Sequence, residues 1–424
     1  MGSESLTSEF SNYFTWENKL NMGDYVEVSY YVETQVDPEL VAVAMAKEQS
    51  SCTIKAPLTE GYNFAPYTAR VTDIEYLRDS DEAMLPAYRL NTSVYNNGNR
   101  REKGYWCGVI KIAFPILNFN TSLTNLWNAI GGELHRLGFI NAIRIIDITF
   151  PDNFLDKFSG PLHGIVGIKE KLRIKNRPIF CRSARPAVGL TTDMMLKINE
   201  SVLRGGFDII KDDELTTSTL LSPFPERVKR MTNLCRRLED ETGERKYYIA
   251  NITSDINETF ELADIAMQNG VDALLVSPAI QGFSICSEIS RRTGLAVLCH
   301  NSWVDVWTRH PRFGVTPAVF FKLQRICGAD MLILPGDFAT EYADNTEEKS
   351  CITACISDMG KIKNTLPIIA GGKSSEHLQE YVELFQNTDF MIIAASALDN
   401  HPDGIEAGAR SFREAWKKVK LAKK

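Results

Sequence analysis

The chain has 424 residues, 44% of them hydrophobic and 24% charged, with a formal charge of −7 and a pI near 5.6. That length predicts two or three domains, since single cores stop growing well below it. The acidic balance argues against a nucleic-acid role, because phosphate binding rests on Lys and Arg.

The N-terminal run Met1 to Leu6 lacks a signal-peptide core, and Leu6 stands where myristoylation needs Ser or Thr. Residues 24–33 alternate like a half-buried strand, and Asp37-Pro38 opens a helix through Ala46. Strands follow at 66–75 and 104–114, then a helix around 122–137 and a strand at 142–149. Mixed strands and helices without strict alternation predict an α+β domain over 1–150.

Beyond Phe150 the rhythm becomes regular. Apolar β-branched runs recur at Pro178–Ser183, Phe207–Ile210, Tyr247–Ile252, Ala273–Ser277, Ala296–His300, Met331–Leu334, Leu366–Ile369 and Phe390–Ala394. Amphipathic segments such as Leu221–Thr242, Thr259–Asn269, Pro317–Cys327 and Glu376–Gln386 separate them. Strand followed by helix, eight times over, predicts a (β/α)8 TIM barrel across 151–424, with a doubly wound sheet as the alternative. Active sites of that fold lie at the C-terminal strand ends. The barrel therefore brings Lys211 to Glu214, Asn251, Thr253, His300 and Gly371-Gly372 to one mouth.

No apolar run approaches the roughly 18 residues of a membrane span, so no membrane partner is expected. Nine scattered cysteines without a Cys-x-x-Cys pair predict reduced thiols and a cytoplasmic protein. Cys351 and Cys355 share one helical face but are too few for zinc, so burial is expected.

The most informative stretch is Gly205-Gly206-Phe207-Asp208-Ile209-Ile210-Lys211-Asp212-Asp213-Glu214, a buried strand ending in four ionisable side chains. Such a cluster is costly to desolvate unless a cation is present. Mg²⁺ takes oxygen ligands and keeps positions open for water or substrate. Asp213 and Glu214 offer two of those ligands. Lys211 offers a third if burial lowers its pKa enough for the amine to form a carbamate with CO₂. A solvated turn with mixed charges is the plainer reading.

The motif resembles the metal site of the ribulose-bisphosphate carboxylase (RuBisCO) large-chain family. Further segments are similar to that family: Arg185-Pro186-Ala187-Val188-Gly189-Leu190, Ile249 to Thr253, Met359 to Lys363, Leu366-Pro367 to Gly371-Gly372, His401 to Gly404, Ala407 to Arg410, and Glu48-Gln49-Ser50. The resemblance covers nearly the whole chain. It implies a ferredoxin-like N-terminal domain, a Mg²⁺ site on Lys211, Asp213 and Glu214, and a homodimer with its active site at the subunit interface. It also implies substrate contacts from Glu48, Asn251, Gly371 and Gly372, with Ser396 in place of a backbone amide where the family has a glycine-rich turn.

The departures decide the expected activity. Where the carboxylases carry a lysine on the sixth loop, Leu334 to Thr340 has none, so carboxylation of ribulose bisphosphate is not expected; Leu-Pro-Gly there resembles the RuBisCO-like proteins (form IV). His300-Asn301 replaces a His-Arg pair, and Glu133 stands nearest the family's N-terminal Asn, which argues against a bisphosphate. Arg185 replaces a lysine that acts as a base, and arginine stays protonated. Proton transfer must then fall to a Lys211 carbamate, His300 or Asp212, of which His300 suits by pKa. A Mg²⁺-dependent lyase or isomerase acting on a phosphorylated ketose or keto sugar acid through an enediolate is expected, with Arg185, Lys211 and His300 as catalytic residues. The alternative is a non-catalytic binding or regulatory dimer.

Overall fold

The computed structural model describes residues 11–16, 19–51, 61–86, 100–335 and 345–421. Contacts divide the chain into two compact units, Met1–Phe158 with Val306–Phe320, and Ser159–Asp305 with Phe321–Lys424.

In the first unit, β1 (Tyr25–Thr34) leads into the helix Pro38–Glu48, then β2 (Arg70–Ser80), β3 (Tyr105–Pro115), the helix Leu123–Gly131 and β4 (Ile140–Thr149). Antiparallel pairing in the order β4-β1-β3-β2 makes this a ferredoxin-like βαββαβ unit. Alternation in β1 buries Val26, Val28, Tyr30 and Val32 on one face, as a period of two requires. The second strand begins later than its pattern predicts, because Ala65–Tyr67 form a 3-10 turn around Pro66. The second helix also ends early: Asn128 O accepts from Gly132 N, and a short 3-10 turn, Leu134–Arg136, follows. A two-residue strand not evident in the sequence, β10 (Gly314–Val315), pairs in parallel with Arg144–Ile145 and makes the sheet mixed.

The second unit is the TIM barrel. Its strands are β5 (Ile179–Ser183), β6 (Ile209–Lys211), β7 (Tyr247–Asn251), β8 (Ala273–Val276), β9 (Ala296–Cys299), β11 (Met331–Ile333), β12 (Leu366–Ile369) and β13 (Met391–Ile393). Parallel pairing from β5 through β9 to β11, β12, β13 and back to β5 closes the ring. All eight coincide with the apolar runs, because a strand covered by helices outside and packed within is apolar on both faces. Alternate residues point inward: Ile179 and Cys181, Ile209, Tyr247 and Ile249, Ala273 and Leu275, Met331 and Ile333 form one buried cluster.

Ile165, Ile168 and Leu172 of the helix Gly164–Leu172 join that cluster. The backbone N–H groups of His163 and Gly164 donate to Asp330 at 2.7 and 2.8 Å, and Ile165 N donates to Asn364 O at 3.0 Å. Asp330 and Asn364 precede β11 and β12, so this helix closes the N-terminal end of the barrel and leaves the C-terminal end open for chemistry. The helix Phe224–Thr242 starts after the expected Leu221, since Pro223 and Pro225 lack an N–H and fit only at a helix start. It stops at Gly243, whose φ of 70° is left-handed.

Among the described residues no helix is long and apolar enough to cross a membrane. Every described cysteine is free and buried, Cys351 and Cys355 included. Cys52 and the loop residues Gly336–Thr340 lie outside the described residues.

Candidate active site

Parallel register aligns the C-terminal strand ends: Ser183 pairs with Lys211, and Lys211 with Ile249. A cavity of about 140 Å³ opens there, lined by Arg185, Lys211, Glu214, His300, Gly371, Gly372 and Ser396, all anticipated from the sequence. Ser183, Ile333, Lys373 and Ile393 complete much of the wall and were not anticipated. Ser183, Ile333 and Ile393 are the last residues of β5, β11 and β13, so inward alternation at the strand ends was the signal available. A larger cavity of about 560 Å³ lies in the first unit, walled by Trp127, Trp307 and Phe313. No Lys, Arg, Asp or Glu is among its described lining residues, whereas the smaller cavity carries Arg185, Lys211, Glu214 and Lys373.

Lys211 ends β6 fully enclosed, with Nζ donating to Asp212 O at 2.9 Å and lying 4.0 Å from Glu214 Oε2. Burial pulls its pKa down, and the nearby Glu214 carboxylate offsets part of that shift. Glu214 responds oppositely. Burial raises its pKa, but the hydrogen bond from His300 and the charge of Lys211 outweigh burial and hold it at about 2.

His300 Nε2 sits 3.1 Å from Glu214 Oε2. Its Nδ1 accepts from the Ser302 backbone N–H at 3.1 Å, and Ser302 Oγ is 2.8 Å away. A backbone N–H is an obligatory donor, so Nδ1 is unprotonated and the proton of the neutral ring is on Nε2, facing Glu214. In this state His300 is a hydrogen-bond donor at Nε2 and cannot take a proton there.

Asp213 is enclosed behind the wall. Its Oδ2 meets Arg185 Nη2 at 3.1 Å and Ser183 Oγ at 3.3 Å, while Oδ1 accepts from Leu215 N at 3.1 Å. Asp212 points elsewhere, accepting from Tyr248 Oη at 2.9 Å, Asn251 N at 3.2 Å and Arg227 Nε at 3.3 Å. These partners commit its carboxylate beneath the site and take it out of proton transfer. Asn251, read as a substrate contact, spends its amide on the backbone: Nδ2 donates to Glu214 O at 3.0 Å and Thr216 O at 3.3 Å, and Oδ1 accepts from Thr253 N. It braces the loop that carries Glu214. Glu48 belongs to the first unit, as the last residue of the helix Pro38–Glu48. Glu133 in that unit pairs with Arg136 at 2.5 Å.

Gly371 and Gly372 adopt φ of 76° and 61°, and a Cβ at either would meet nothing within 4 Å. Backbone conformation rather than crowding therefore requires glycine at both positions. Without a Cβ at either position the backbone here stays open to close approach from the cavity. Lys373 follows, its Nζ 5.4 Å from the centre of the Tyr381 ring.

Beneath the first and eighth loops lies Arg182, 1% exposed, donating through Nη2 to Asp399 Oδ1 at 2.5 Å and to Arg185 O at 3.4 Å. Asp399 closes the short helix Ser396–Asp399 after β13. One buried guanidinium thus ties the segment bearing Arg185 to the one bearing Ser396.

This geometry coincides with a matching family model. Residues 164–424 match the ribulose bisphosphate carboxylase large-chain catalytic domain, and residues 87–154 match its N-terminal domain. The chain belongs to the RuBisCO large-chain family. A ribulose bisphosphate carboxylase-like protein of Allochromatium vinosum is 32% identical over 97% of this chain and 88% of its own length. The crystal structure of a rubisco-like protein from Burkholderia fungorum superposes with a TM-score of 0.82 at 26% identity, covering 93% of this chain and 94% of that one. A dimeric archaeal rubisco from Hyperthermus butylicus gives 0.79 at 25% identity over 94% and 92%.

The family's divalent metal would need oxygen donors. Among the described residues no three His, Cys, Asp or Glu side chains gather as a metal site. The donor set that the sequence resemblance implies is instead Asp213, Glu214 and a lysine. Lys211 fits that need, because enclosure favours the neutral amine from which a carbamate forms.

Proposed function

We propose that the protein is a Mg²⁺-dependent RuBisCO-like enzyme that acts on a phosphorylated ketose or keto sugar acid through an enediolate and does not fix CO₂. The observation that carries this reading is the convergence of Arg185, Lys211, Glu214 and His300 with the Gly371-Gly372 turn on one cavity. A divalent cation held by Asp213, Glu214 and carbamylated Lys211 would supply charge to the two adjacent substrate oxygens.

The chain's own residues favour decarboxylation within that class. The Gly371-Gly372 amides, Lys373 and Arg185 bind and orient the substrate's anion, which needs a cation rather than a base. Loss of CO₂ from a β-keto acid breaks the carbon–carbon bond, and its electron pair passes into the enolate. No C–H proton has to be removed, which matters where arginine replaces a base. His300 Nε2–H donates a hydrogen bond into the cavity, and solvent supplies the proton that completes the product.

The family resemblance and the dimeric Hyperthermus relative support a homodimer in which Glu48 of one subunit serves the barrel of the other. Mixing Glu48→Gln and Lys211→Ala subunits should then regenerate up to one intact site per mixed dimer.

The test of activity is a panel of phosphorylated ketoses and keto sugar acids incubated with Mg²⁺ and bicarbonate and followed by ¹³C and ³¹P NMR. Release of CO₂ or isomerised product, lost in Lys211→Ala, is expected. The second reading, a binding dimer without turnover, is favoured by the contacts already formed on both metal carboxylates, the ion pair of Arg185 with Asp213 and the hydrogen bond of His300 with Glu214. Metal and phosphate binding without conversion of any compound would select it.

A further inference from the structure

Asp213 is fully enclosed, yet the cation paired with it, Arg185, has a side chain 47% exposed and lines the cavity. A buried carboxylate needs a counter-charge, and here that charge is supplied by a side chain free to turn. The buried Arg182 donates through Nη2 to the Arg185 carbonyl at 3.4 Å, which braces the backbone from which the side chain extends. Gly371, Gly372 and Lys373 line the same cavity as Arg185.

We infer that Arg185 is an internal counter-ion that competes with a divalent cation for Asp213 and, once displaced, clamps the substrate's anion, coupling metal and anion binding through one guanidinium. This rests on the metal reading above and adds to it a role for the arginine that replaces the family's lysine. The identity of the residue matters. A lysine can leave such a pair by losing its proton, whereas a guanidinium keeps its charge and must exchange one anion for another. Two cations cannot both sit against the Asp213 carboxylate without repulsion, so metal entry frees Arg185 for a phosphate or carboxylate oxygen, to which it can offer two parallel N–H groups. Linkage makes the effect mutual: an anion that holds Arg185 away from Asp213 tightens the metal by the same factor.

The experiment is a calorimetric titration of Mg²⁺ into the full-length protein in bicarbonate, with and without inorganic phosphate, on the native chain, Arg185→Met and Arg185→Gln. Phosphate is expected to tighten native Mg²⁺ binding by about 5- to 20-fold, toward the lower end of known couplings because the ion pair is half exposed. Both variants are expected to bind Mg²⁺ more tightly than native and to show no phosphate effect. They should also melt lower than native without metal and gain more in Tm from saturating Mg²⁺, since Asp213 is otherwise left without its counter-charge. Arg185→Gln keeps hydrogen-bond donors and carries the test should the methionine variant not fold. Unchanged or weaker Mg²⁺ binding in the variants, or a phosphate effect that survives in them, overturns the inference while leaving the metal site standing. A native protein that binds no Mg²⁺ removes the metal reading and the inference together.

Discussion

The two ends of β6 carry similar charges and treat them differently. Asp208, just before the strand, receives Arg177 through two hydrogen bonds of 2.7 and 2.6 Å and Phe180 N at 2.9 Å, with Arg413 at 3.8 Å. Lys211, at the other end, lies 4.0 Å from Glu214, and the one arginine against Asp213 is half exposed, beside the neutral donors Ser183 Oγ and Leu215 N. At the N-terminal end every charge is saturated and the arrangement has one state. At the C-terminal end the contacts are few and exchangeable, which is what binding a metal or anion requires. This is the division of labour a TIM barrel imposes, stability below and chemistry above.

The largest effect that would break the contrast is expected at the saturated end. Asp208→Ala strands Arg177 in a largely buried position and is expected to cost about 3–5 kcal/mol, as for other broken buried pairs. Chemical denaturation measures it, and a loss near zero would mean that this end is no more committed than the mouth. By contrast, Lys211→Ala should leave the midpoint of denaturation close to native while abolishing bicarbonate-dependent Mg²⁺ binding.

A smaller effect is expected from Asp399→Asn, which weakens the strut from Arg182 without removing the acceptor. Inorganic phosphate should bind a few-fold more weakly, whereas Mg²⁺ affinity should be unchanged; equal loss of both would show a general collapse of the mouth. The smallest effect concerns pH. The Glu214 pKa is depressed to about 2 by His300 and Lys211 against the opposing effect of burial, so the folded state binds fewer protons than the unfolded one between that value and the usual glutamate range. Stability from this group is present above about pH 4.5 and declines as pH falls toward 2. The stability difference between native and Glu214→Gln should therefore shrink over that window, and a difference that grows there would reverse the assignment.

Much of this contrast was legible in the sequence, though unevenly. The barrel strands were readable because a parallel sheet buried on both faces leaves unbroken apolar runs, and their spacing placed Lys211, Glu214, His300 and Gly371-Gly372 at one end. What those side chains touch was not readable. The Arg185 contact with Asp213 and the His300 contact with Glu214 join residues 28 and 86 positions apart, and they depend on side-chain rotamers that no periodicity encodes. Asn251 was placed at the mouth, but its commitment to the Glu214 loop follows from where a carbonyl lies in space. No motif or periodicity marks Arg182, and only closure of the barrel, which sets β5 beside β13, gives it Asp399 as a partner. The two-residue β10 is too short for any pattern to mark it.

The account turns on whether the Lys211, Asp213 and Glu214 cluster takes up a metal through a carbamate. Calorimetric titration of Mg²⁺ into the native protein and Lys211→Ala, with and without bicarbonate, tests this most directly. Tight binding that depends on bicarbonate and disappears in the variant is the predicted result; no binding by the native protein, or binding indifferent to both bicarbonate and Lys211, would contradict it.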